Sequence, residues 1–147
     1  MKVSTRGQYG VRALLDIALH SNGNPVLLKD IADRQGIPLQ YLHQLVTPLI
    51  KAGLLRSIRG AHGGVNLTEC PEEIKLGKVI QILEGSIAPV KCVEDPSLCS
   101  RSDYCVAREV WDEMNKAMLQ VLESINLQDL ANRHRQKDQQ RNVMYHI

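Results

Sequence analysis

A glycine-rich link between two short apolar runs restricts the possible folds of this chain more than any other feature. Residues 54–58 read LLRSI, residues 65–68 read VNLT, and RGAHGG joins them. Branched residues favour strands, and glycine supplies the unusual backbone angles of a tight tip. The pattern therefore predicts a β-hairpin over this segment.

Three helical patterns precede the hairpin. They cover residues 4–21, 27–35 and 37–52, each with apolar side chains at three- and four-residue steps. Gly36 ends the second pattern, and Pro38 opens the third, because proline suits the first turn of a helix. The order helix, short helix, turn, helix and hairpin predicts a winged helix-turn-helix.

The second half of the chain is predicted to be helical on both sides of a loop. LGKVIQILEG (76–85) gives a short helix, and a long helix begins near Asp103. Asn126, with Asp129 three residues later, resembles a capping box for a last helix, and the tail beyond Lys137 is polar. We predict a mainly α fold with a small β-hairpin wing: a winged helix-turn-helix with a long dimerisation helix.

The long helix has an apolar stripe with little sequence left to cover it. The stripe consists of Val106, Val110, Met114, Ala117, Met118, Val121 and Ile125. The preceding elements need their own apolar side chains for their own core, so the stripe favours pairing with a second copy of the chain. Two-fold dimers are also the commonest assembly. We predict a homodimer; the alternative is a helix that folds back on residues 76–85.

Charge and hydropathy restrict the classes of function. The sequence has no run near the ~18 apolar residues of a membrane span, and Arg12 and Asp16 interrupt what would be the apolar core of a secretory signal. We therefore expect a cytoplasmic protein without membrane contact. Residues 1–70 hold eight Lys/Arg against four Asp/Glu, whereas residues 71–147 hold ten against twelve. We therefore expect residues 1–70 to bind a polyanion; the alternative is that these charges are ordinary surface charges.

The third predicted helix offers polar groups suited to DNA. Its first turns carry Gln40, Tyr41, His43 and Gln44. A recognition helix presents its first turns to base edges, where Gln bonds bidentately to adenine and a neutral His donates or accepts. A solvated helix face is the alternative reading of these residue types.

The hairpin tip and the N-terminus add candidate backbone contacts. Gly60 lies in the tip, where glycine lets the main chain approach a phosphate closely, and Arg59 at its base suits a narrow minor groove. Lys2 and Arg6 are candidates for phosphate contacts, which position a protein on DNA without specifying sequence. A plain surface charge is the alternative for Arg59.

Three of the four cysteines crowd into VKCVEDPSLCSRSDYCVAREVW (90–111). Cys92, Cys99 and Cys105 have the spacing Cys-x6-Cys-x5-Cys, whereas zinc sites favour closely spaced pairs. Longer spacings suit a loop around an iron–sulfur cluster, which several thiolates hold. Redox thiols and inert cysteines are the alternatives, and a disulfide would leave one of the three unpaired. Cys70 lies apart and is expected to be structural.

Several motifs together resemble one family. They are the opening STRGQYGVRALLDIALH, the wing SIRGAHGG, the helix LGKVIQILEG before the three-cysteine loop, and the long helix near VAREVWDEM. Over about residues 1–135 the chain is similar to the IscR-like iron–sulfur cluster transcriptional regulators, relatives of NsrR and CymR. The resemblance implies a dimeric winged-helix repressor whose binding to a double-stranded DNA operator depends on a cluster at Cys92, Cys99 and Cys105. CymR-like relatives lack these cysteines.

The fourth cluster ligand does not carry over from the resemblance. IscR-like proteins place a histidine three residues after the last cysteine, where this chain has Arg108, and a guanidinium does not ligate iron. Some NsrR-like proteins use an acidic residue of the partner subunit, and the matching position is Gln8. Glu109, Asp103, His43, an exogenous thiol and water are the other candidates. His43 also stands where IscR-like sequences tend to have Glu, which leaves the operator sequence open.

The predicted organisation has four parts. These are a winged helix-turn-helix DNA-binding domain (1–85), a cysteine-rich cluster-binding loop (86–103), the dimerisation and C-terminal helices (104–137) and a flexible tail (138–147). The predicted function is a transcriptional repressor that senses iron–sulfur status through a [2Fe-2S] cluster, with [4Fe-4S] as the alternative cluster. The alternative function is a thiol- or zinc-based or nitric-oxide-responsive regulator on the same fold. An enzyme is not expected, because no His or acid is arranged to activate a cysteine.

Overall fold

The computed structural model describes residues 2–146, which form seven α-helices and one two-stranded antiparallel sheet. The helices are α1 (Thr5–His20), α2 (Leu28–Gln35), α3 (Leu39–Lys51), α4 (Leu76–Glu84), α5 (Lys91–Glu94), α6 (Val106–Ser124) and α7 (Leu127–Tyr145). The strands are β1 (Leu55–Ile58) and β2 (Gly64–Leu67), and short 3₁₀ turns cover Pro71–Glu73 and Pro96–Leu98. This order confirms the predicted mainly helical fold with a hairpin wing.

The core lies where α1, α2, α3 and the hairpin meet α4 and the start of α7. Its fully buried side chains include Leu14, Ile17, Ile31, Leu42, Leu49, Leu54, Ile74 and Leu127. Burying an aliphatic side chain of this size contributes about 1.5–3 kcal/mol before the entropy of ordering is subtracted. Most of these buried side chains lie in the first half of the chain, which therefore contributes most of the apolar burial.

The start of α7 returns the chain to this core. Leu127 N–H donates to Ile74 O at 2.9 Å, and Leu76 N–H donates to Ile125 O at 2.9 Å. The predicted grouping of residues 104–137 as one unit did not anticipate this contact, because it joins residues that are far apart in sequence.

A buried ion pair sets the angle between α1 and α2. The Asp16 side chain is fully buried, and Arg34 grips it with Nη2 2.7 Å from Oδ1 and Nε 3.0 Å from Oδ2. Gln35 Nε2 donates to the same carboxylate at 2.9 Å. The Asp16 hydrogen bond is the main cause that holds the pKa of Arg34 above its ordinary value. A buried carboxylate is tolerated only with such partners, so the pair fixes how the two helices meet.

The wing is anchored to the link before α2. Val26 and Val65 exchange backbone hydrogen bonds of 2.9 Å in both directions. Gly64 has φ 148°, and a Cβ there would overlap Val26 O, so only glycine allows this approach. The register pairs Leu55 with Leu67 and Ile58 with Gly64.

The helix ends in the second half differ in part from the predictions. The capping box is confirmed: Asn126 Oδ1 accepts from Asp129 N–H at 2.8 Å, and Asp129 Oδ2 accepts from Asn126 N–H at 3.0 Å. Helix α6 begins at Val106 rather than near Asp103. Helix α7 continues to Tyr145, beyond the predicted start of the tail, although its side chains from residue 132 to 145 are exposed.

Within the described residues, none of the helices is both long and apolar enough for a membrane span.

Candidate nucleic-acid interface and cysteine loop

Helix α3 buries one face and presents the other. The buried side chains are Leu42, Leu45, Val46 and Leu49. Gln40, His43 and Gln44 are exposed, whereas Tyr41 is half-buried and packs against the core. Three of the four side chains predicted on the recognition helix therefore share its solvent side, and Tyr41 lies at the edge between the two faces.

Tyr41 belongs to an arrangement that positions α3 against α1 and α2. Its ring meets Tyr9 edge-to-face with centroids 6.0 Å apart, and the Arg12 guanidinium lies 5.1 Å from the centre of the Tyr9 ring. Arg12 Nε also donates to Gln35 Oε1 at 3.3 Å, and its Nη2 donates to Gln35 O. This role of Arg12 was not predicted from the sequence; an arginine four residues before Asp16 on an apolar helix was the available signal.

The wing exposes the residues predicted at its tip. Arg59 and Gly60 are exposed, and Gly63 N–H closes the tip by donating to Gly60 O at 3.0 Å. Gly60 has φ 111°, and a Cβ on Gly63 would overlap Ile58 O. The tip is thus a compact turn with several glycines, and the Arg59 side chain next to it is exposed to solvent.

Lys2 and Arg6 flank the start of α1, and both are exposed. Ser4 caps the helix, because its Oγ accepts from Gly7 N–H at 3.4 Å. The nearby Gln8 Nε2 donates to Val3 O at 3.0 Å, so this amide already has a partner within the subunit. The helix start therefore presents basic side chains around a well-defined turn.

The three clustered cysteines lie on three separate pieces of the loop between α4 and α6. Cys92 belongs to α5, Cys99 follows the second 3₁₀ turn, and Cys105 is the N-cap residue of α6. All are free thiols; Cys92 and Cys105 are half-buried and Cys99 is exposed. Over residues 2–146, no group of three or more His, Cys, Asp or Glu side chains is arranged to hold a metal ion. The protein alone thus does not gather the thiols into a single-ion site.

The loop is pinned from within. Ser102 is buried; its Oγ donates to Pro96 O at 2.7 Å and lies 2.9 Å from Cys99 O. The Asp95 carboxylate accepts from Ser97 Oγ at 2.7 Å and from Ser97 N–H at 3.0 Å, which holds the pKa of Asp95 below its ordinary value. These bonds shape the middle of the loop around Cys99.

Arg108 fastens the first cysteine to α6. Its Nε donates to Cys92 O at 3.0 Å. Arg108 was excluded as an iron ligand on its chemistry, but this hydrogen bond was not predicted; the available signal was a basic residue one turn into the helix after Cys105. The other candidate fourth ligands Asp103, Glu109 and His43 have exposed side chains.

Helix α6 has no buried residue. Of the predicted apolar stripe, Val106, Val110, Ala117 and Val121 are exposed, and Met114, Met118 and Ile125 are half-buried. Clefts of about 630 and 370 Å³ run between α4 and α6, and Ile80 and Leu122 line both. The alternative prediction, that α6 folds back on residues 76–85, is thus only partly correct. Helix α6 contacts α4, but its apolar stripe is not buried by that contact.

Comparison with known proteins places these features in a family. Residues 3–133 match the family described as "Rrf2: Iron-dependent Transcriptional regulator". Protein rrf2 of Nitratidesulfovibrio vulgaris is 47% identical over 130 residues, which cover 88% of this chain and 87% of that protein. The solved structure of T. potens IscR is 43% identical, with a TM-score of 0.76 over 91% of this chain and 88% of that chain.

A third relative, the HTH-type transcriptional regulator CymR of Bacillus subtilis, is 41% identical over 131 residues, covering 89% of this chain and 90% of that protein. Its solved structure, which names it the global cysteine regulator, has a TM-score of 0.76 and covers 90% of this chain and 97% of that chain. The predicted family and regulator class are confirmed, and the predicted absence of enzymatic function agrees with how these relatives are named. The winged helix-turn-helix and the match across most of its length show that the chain belongs to the Rrf2 family of transcriptional regulators.

Proposed function

We propose that this regulator represses transcription as a homodimer on a double-stranded DNA operator and senses iron–sulfur status through a cluster held by Cys92, Cys99 and Cys105. One observation carries the proposal. The loop that contains these three free thiols leaves the end of α4, which packs on α1, and ends at the N-cap of α6. A group bound by these thiols would therefore contact a loop that is connected at one end to α4, which packs on α1, and at the other end to α6.

DNA recognition is assigned to the exposed face of α3 and to the wing. Gln40 and Gln44 suit bidentate bonds to adenine, and His43 between them donates or accepts according to its protonation. Arg59 and Gly60 suit a minor-groove or phosphate contact at the wing tip. Lys2 and Arg6, with Tyr41 at the edge of α3, complete the proposed surface, on which phosphate contacts position the protein and base contacts specify the site.

The donor set of the loop fits an iron–sulfur cluster. Thiolates are the usual protein ligands of such clusters, and the loop has three free thiols, one on α5, one after the second 3₁₀ turn and one at the N-cap of α6. Cys92, Cys99 and Cys105 would hold the cluster, which would supply redox- and iron-sensitive chemistry at this loop. Arg108 stays outside the ligand set, because its guanidinium bonds the Cys92 carbonyl. We propose a [2Fe-2S] cluster, with [4Fe-4S] as the alternative, whose fourth ligand is Asp103, Glu109, His43 or an exogenous thiol or water.

A second copy of the chain is the proposed cover for α6. The helix is 19 residues long and has no buried residue, although Val106 is 72% and Val121 57% exposed. A two-fold dimer pairs such a stripe with itself, and helix-turn-helix proteins read two half-sites in this way. A cytoplasmic location is part of the proposal, because thiols stay reduced there and the four cysteines of this chain are free.

Anaerobic reconstitution with iron and sulfide tests the proposal, with Cys92→Ala as the variant and Cys70→Ala as the matched control outside the loop. We expect visible cluster absorption, bound iron and labile sulfide in the wild type and in the control, and their loss in Cys92→Ala. Operator affinity in a gel shift should differ about 5-fold or more between the cluster-loaded and apo forms of the wild type. Identical spectra for the two variants, or operator binding indifferent to the cluster, would contradict the proposal.

A thiol- or zinc-based or nitric-oxide-responsive regulator is the second candidate. It is favoured by the exposed thiol of Cys99 and by the similarity to CymR, which is named a cysteine regulator. Metal and sulfide analysis of protein purified without oxygen separates the candidates. Zinc without sulfide indicates the zinc regulator, thiols without metal the redox regulator, and a cluster lost on exposure to nitric oxide the gas-responsive one.

A further inference from the structure

Glu84, the last residue of α4, brings one carboxylate oxygen to the start of α1. Its Oε1 accepts from Ser4 N–H at 2.9 Å, from Ser4 Oγ at 2.6 Å and from Gly7 N–H at 3.1 Å. The first amides of a helix have no partner within the helix. A residue 80 positions away in sequence supplies that partner here.

This contact replaces the acidic side chain that α1 lacks in its first turn. In a capping box, the third residue after the N-cap carries a carboxylate or amide that accepts from the N-cap N–H. After the N-cap Ser4 that residue is Gly7, which has no side chain, and the first turn of α1 contains no acid. A Cβ on Gly7 would overlap Glu84 Oε1. Glu84 therefore fills the place that an N3 glutamate fills in an ordinary box, and the glycine makes room for it.

The other capped helix shows that this arrangement is not a general need of the chain. In α7 the N-cap Asn126 and the N3 residue Asp129 form an ordinary box within the helix itself. The cap of α1 differs because its carboxylate belongs to a different helix. The order of the first turn of α1 thus depends on where the end of α4 lies.

The end of α4 is also where the cysteine-bearing segment begins. Gly85 follows Glu84 with φ 77°, and the chain then continues towards Cys92. Lys2 and Val3 of the N-terminus and Glu84 line the 370 Å³ cleft together with Ser86, Ile87 and Ala88 of the loop and Met118 and Val121 of α6. The N-terminal turn, the start of the loop and the proposed dimer helix thus meet at one place.

We infer that Glu84 is the positioning residue that couples the cysteine loop to the DNA-binding surface, by capping α1 from the end of α4. The inference rests on the proposed function. A shift of the loop that moves the end of α4 withdraws the carboxylate from Ser4 and Gly7 and frees the first turn of α1, which carries Arg6 and is preceded by Lys2. Removing Glu84 should reduce the effect of the cluster on DNA binding more than it reduces DNA binding itself.

Two substitutions separate coupling from simple capping. Glu84→Ala removes the cap, whereas Glu84→Ala combined with Gly7→Glu gives α1 an ordinary capping box that is independent of α4. Once the Glu84 side chain is gone, the nearest atom to a Cβ on residue 7 is Val3 Cγ1 at 3.0 Å, and this exposed side chain is free to move. Glu69→Ala is the matched control, because Glu69 bonds Lys78 of α4 at 3.1 Å and not α1.

The measured quantity is the ratio of operator Kd values for the apo and cluster-loaded forms. We expect about 5-fold or more for the wild type and Glu69→Ala, and less than about 2-fold for Glu84→Ala and for the double variant. The double variant should nevertheless regain the thermal stability lost in Glu84→Ala. Hydrogen exchange on the wild type gives a readout without substitutions: amide protection at residues 4–7 should differ between the two forms.

Each other outcome overturns the inference in a recognisable way. If the double variant regains the wild-type ratio, Glu84 is only a cap; if Glu84→Ala keeps the ratio, the coupling runs elsewhere. Equal protection of residues 4–7 in the two wild-type forms also refutes it, even if both variants fail to fold. If the two Kd values of the wild type are equal, the proposed function itself is wrong, because that measurement involves no change at Glu84. The inference about Glu84 is then wrong as well.

Discussion

The N-terminal half of the chain (residues 2–85) and helix α6 differ in how their apolar side chains are covered. In the first region Leu14, Ile17 and Leu42 are completely buried. In α6, which is longer than any helix of the first region, no residue is buried, and Val106 is 72% exposed. One region completes its own core, whereas the other has an amphipathic pattern whose apolar side meets little of its own chain. The proposed dimer and cluster account for that difference.

One ion pair from each region shows the same contrast. Asp16 is buried and gripped at 2.7 Å by Arg34, which joins two helices. Asp112 and Lys116 also lie 2.7 Å apart, but they are neighbours on the surface of α6, and the pair raises the pKa of Lys116 without linking elements. Buried pairs define geometry, while surface pairs contribute little to stability. The geometry of the N-terminal half therefore depends on contacts within the chain, whereas the apolar side of α6 is left exposed.

Truncating a core side chain should give the largest effect. We expect Leu14→Ala to lower the free energy of unfolding by about 2–5 kcal/mol, because it leaves a cavity among α1, α3 and α4. The control Gln120→Ala, at an exposed position of α6 outside the apolar stripe, should change it by less than about 0.5 kcal/mol. Urea denaturation at one fixed protein concentration measures both. Equal losses in the two variants would abolish the contrast between the regions.

A charge on the exposed stripe of α6 should break the proposed dimer without unfolding the chain. Val110→Asp is expected to weaken self-association by about 2 kcal/mol or more, roughly 30-fold in the dimer Kd, because a carboxylate in an apolar interface is not solvated. Sedimentation equilibrium measures the Kd, and circular dichroism checks the fold. Glu113→Gln on the same helix is the control. An unchanged Kd for Val110→Asp would remove this face from the interface.

Removing the arginine of the wing should weaken DNA binding and its salt dependence together. We expect Arg59→Ala to make the dependence of log affinity on log salt less steep by about 2, because each of the two wings of the proposed dimer loses one phosphate contact and each contact releases about one counterion. Arg101→Ala, an exposed arginine of the cysteine loop, is the matched control and should leave the slope unchanged. If Arg101→Ala has the larger effect, the wing is not the surface that meets DNA.

The smallest effect concerns the internal bonds of the cysteine loop. Ser97→Ala removes the main cause of the lowered pKa of Asp95, so this pKa should rise towards its ordinary value, as measured by an NMR titration of the carboxyl group. Because the folded pKa lies below the unfolded one, the stabilisation is present above the unfolded pKa and is lost as the pH falls through the folded pKa. Ser100→Ala in the same loop should leave the titration of Asp95 as in the wild type.

Local patterns were sufficient to predict most of the elements. The steps of apolar residues predicted α1, α2 and α3 within one or two residues of their observed ends, and the glycines around Gly60 predicted the wing. The capping box at Asn126 was also readable, because both of its partners lie within one helical turn. The exposed side of α3 followed from the same periodicity, which is why Gln40, His43 and Gln44 lie where they were expected.

The contacts that join the elements were not predictable in this way. The bonds from Arg34 to Asp16 and from Arg108 to Cys92 connect residues of different helices, 18 and 16 positions apart, so no pattern within either helix indicates the partner. The extension of α7 to Tyr145 was missed because a polar segment without an apolar stripe gives no periodic signal.

The sequence by itself determined the order of helices and hairpin, the family and the presence of three crowded thiols, because these depend on composition and short-range spacing. Only the tertiary structure decided that α6 stays uncovered, that Arg108 tethers the loop, and that Glu84 caps a helix 80 residues away. The physical reason is that a hydrogen bond between distant segments leaves no local pattern in either segment: the glycine that makes room for Glu84 resembles any other glycine until α4 packs against it.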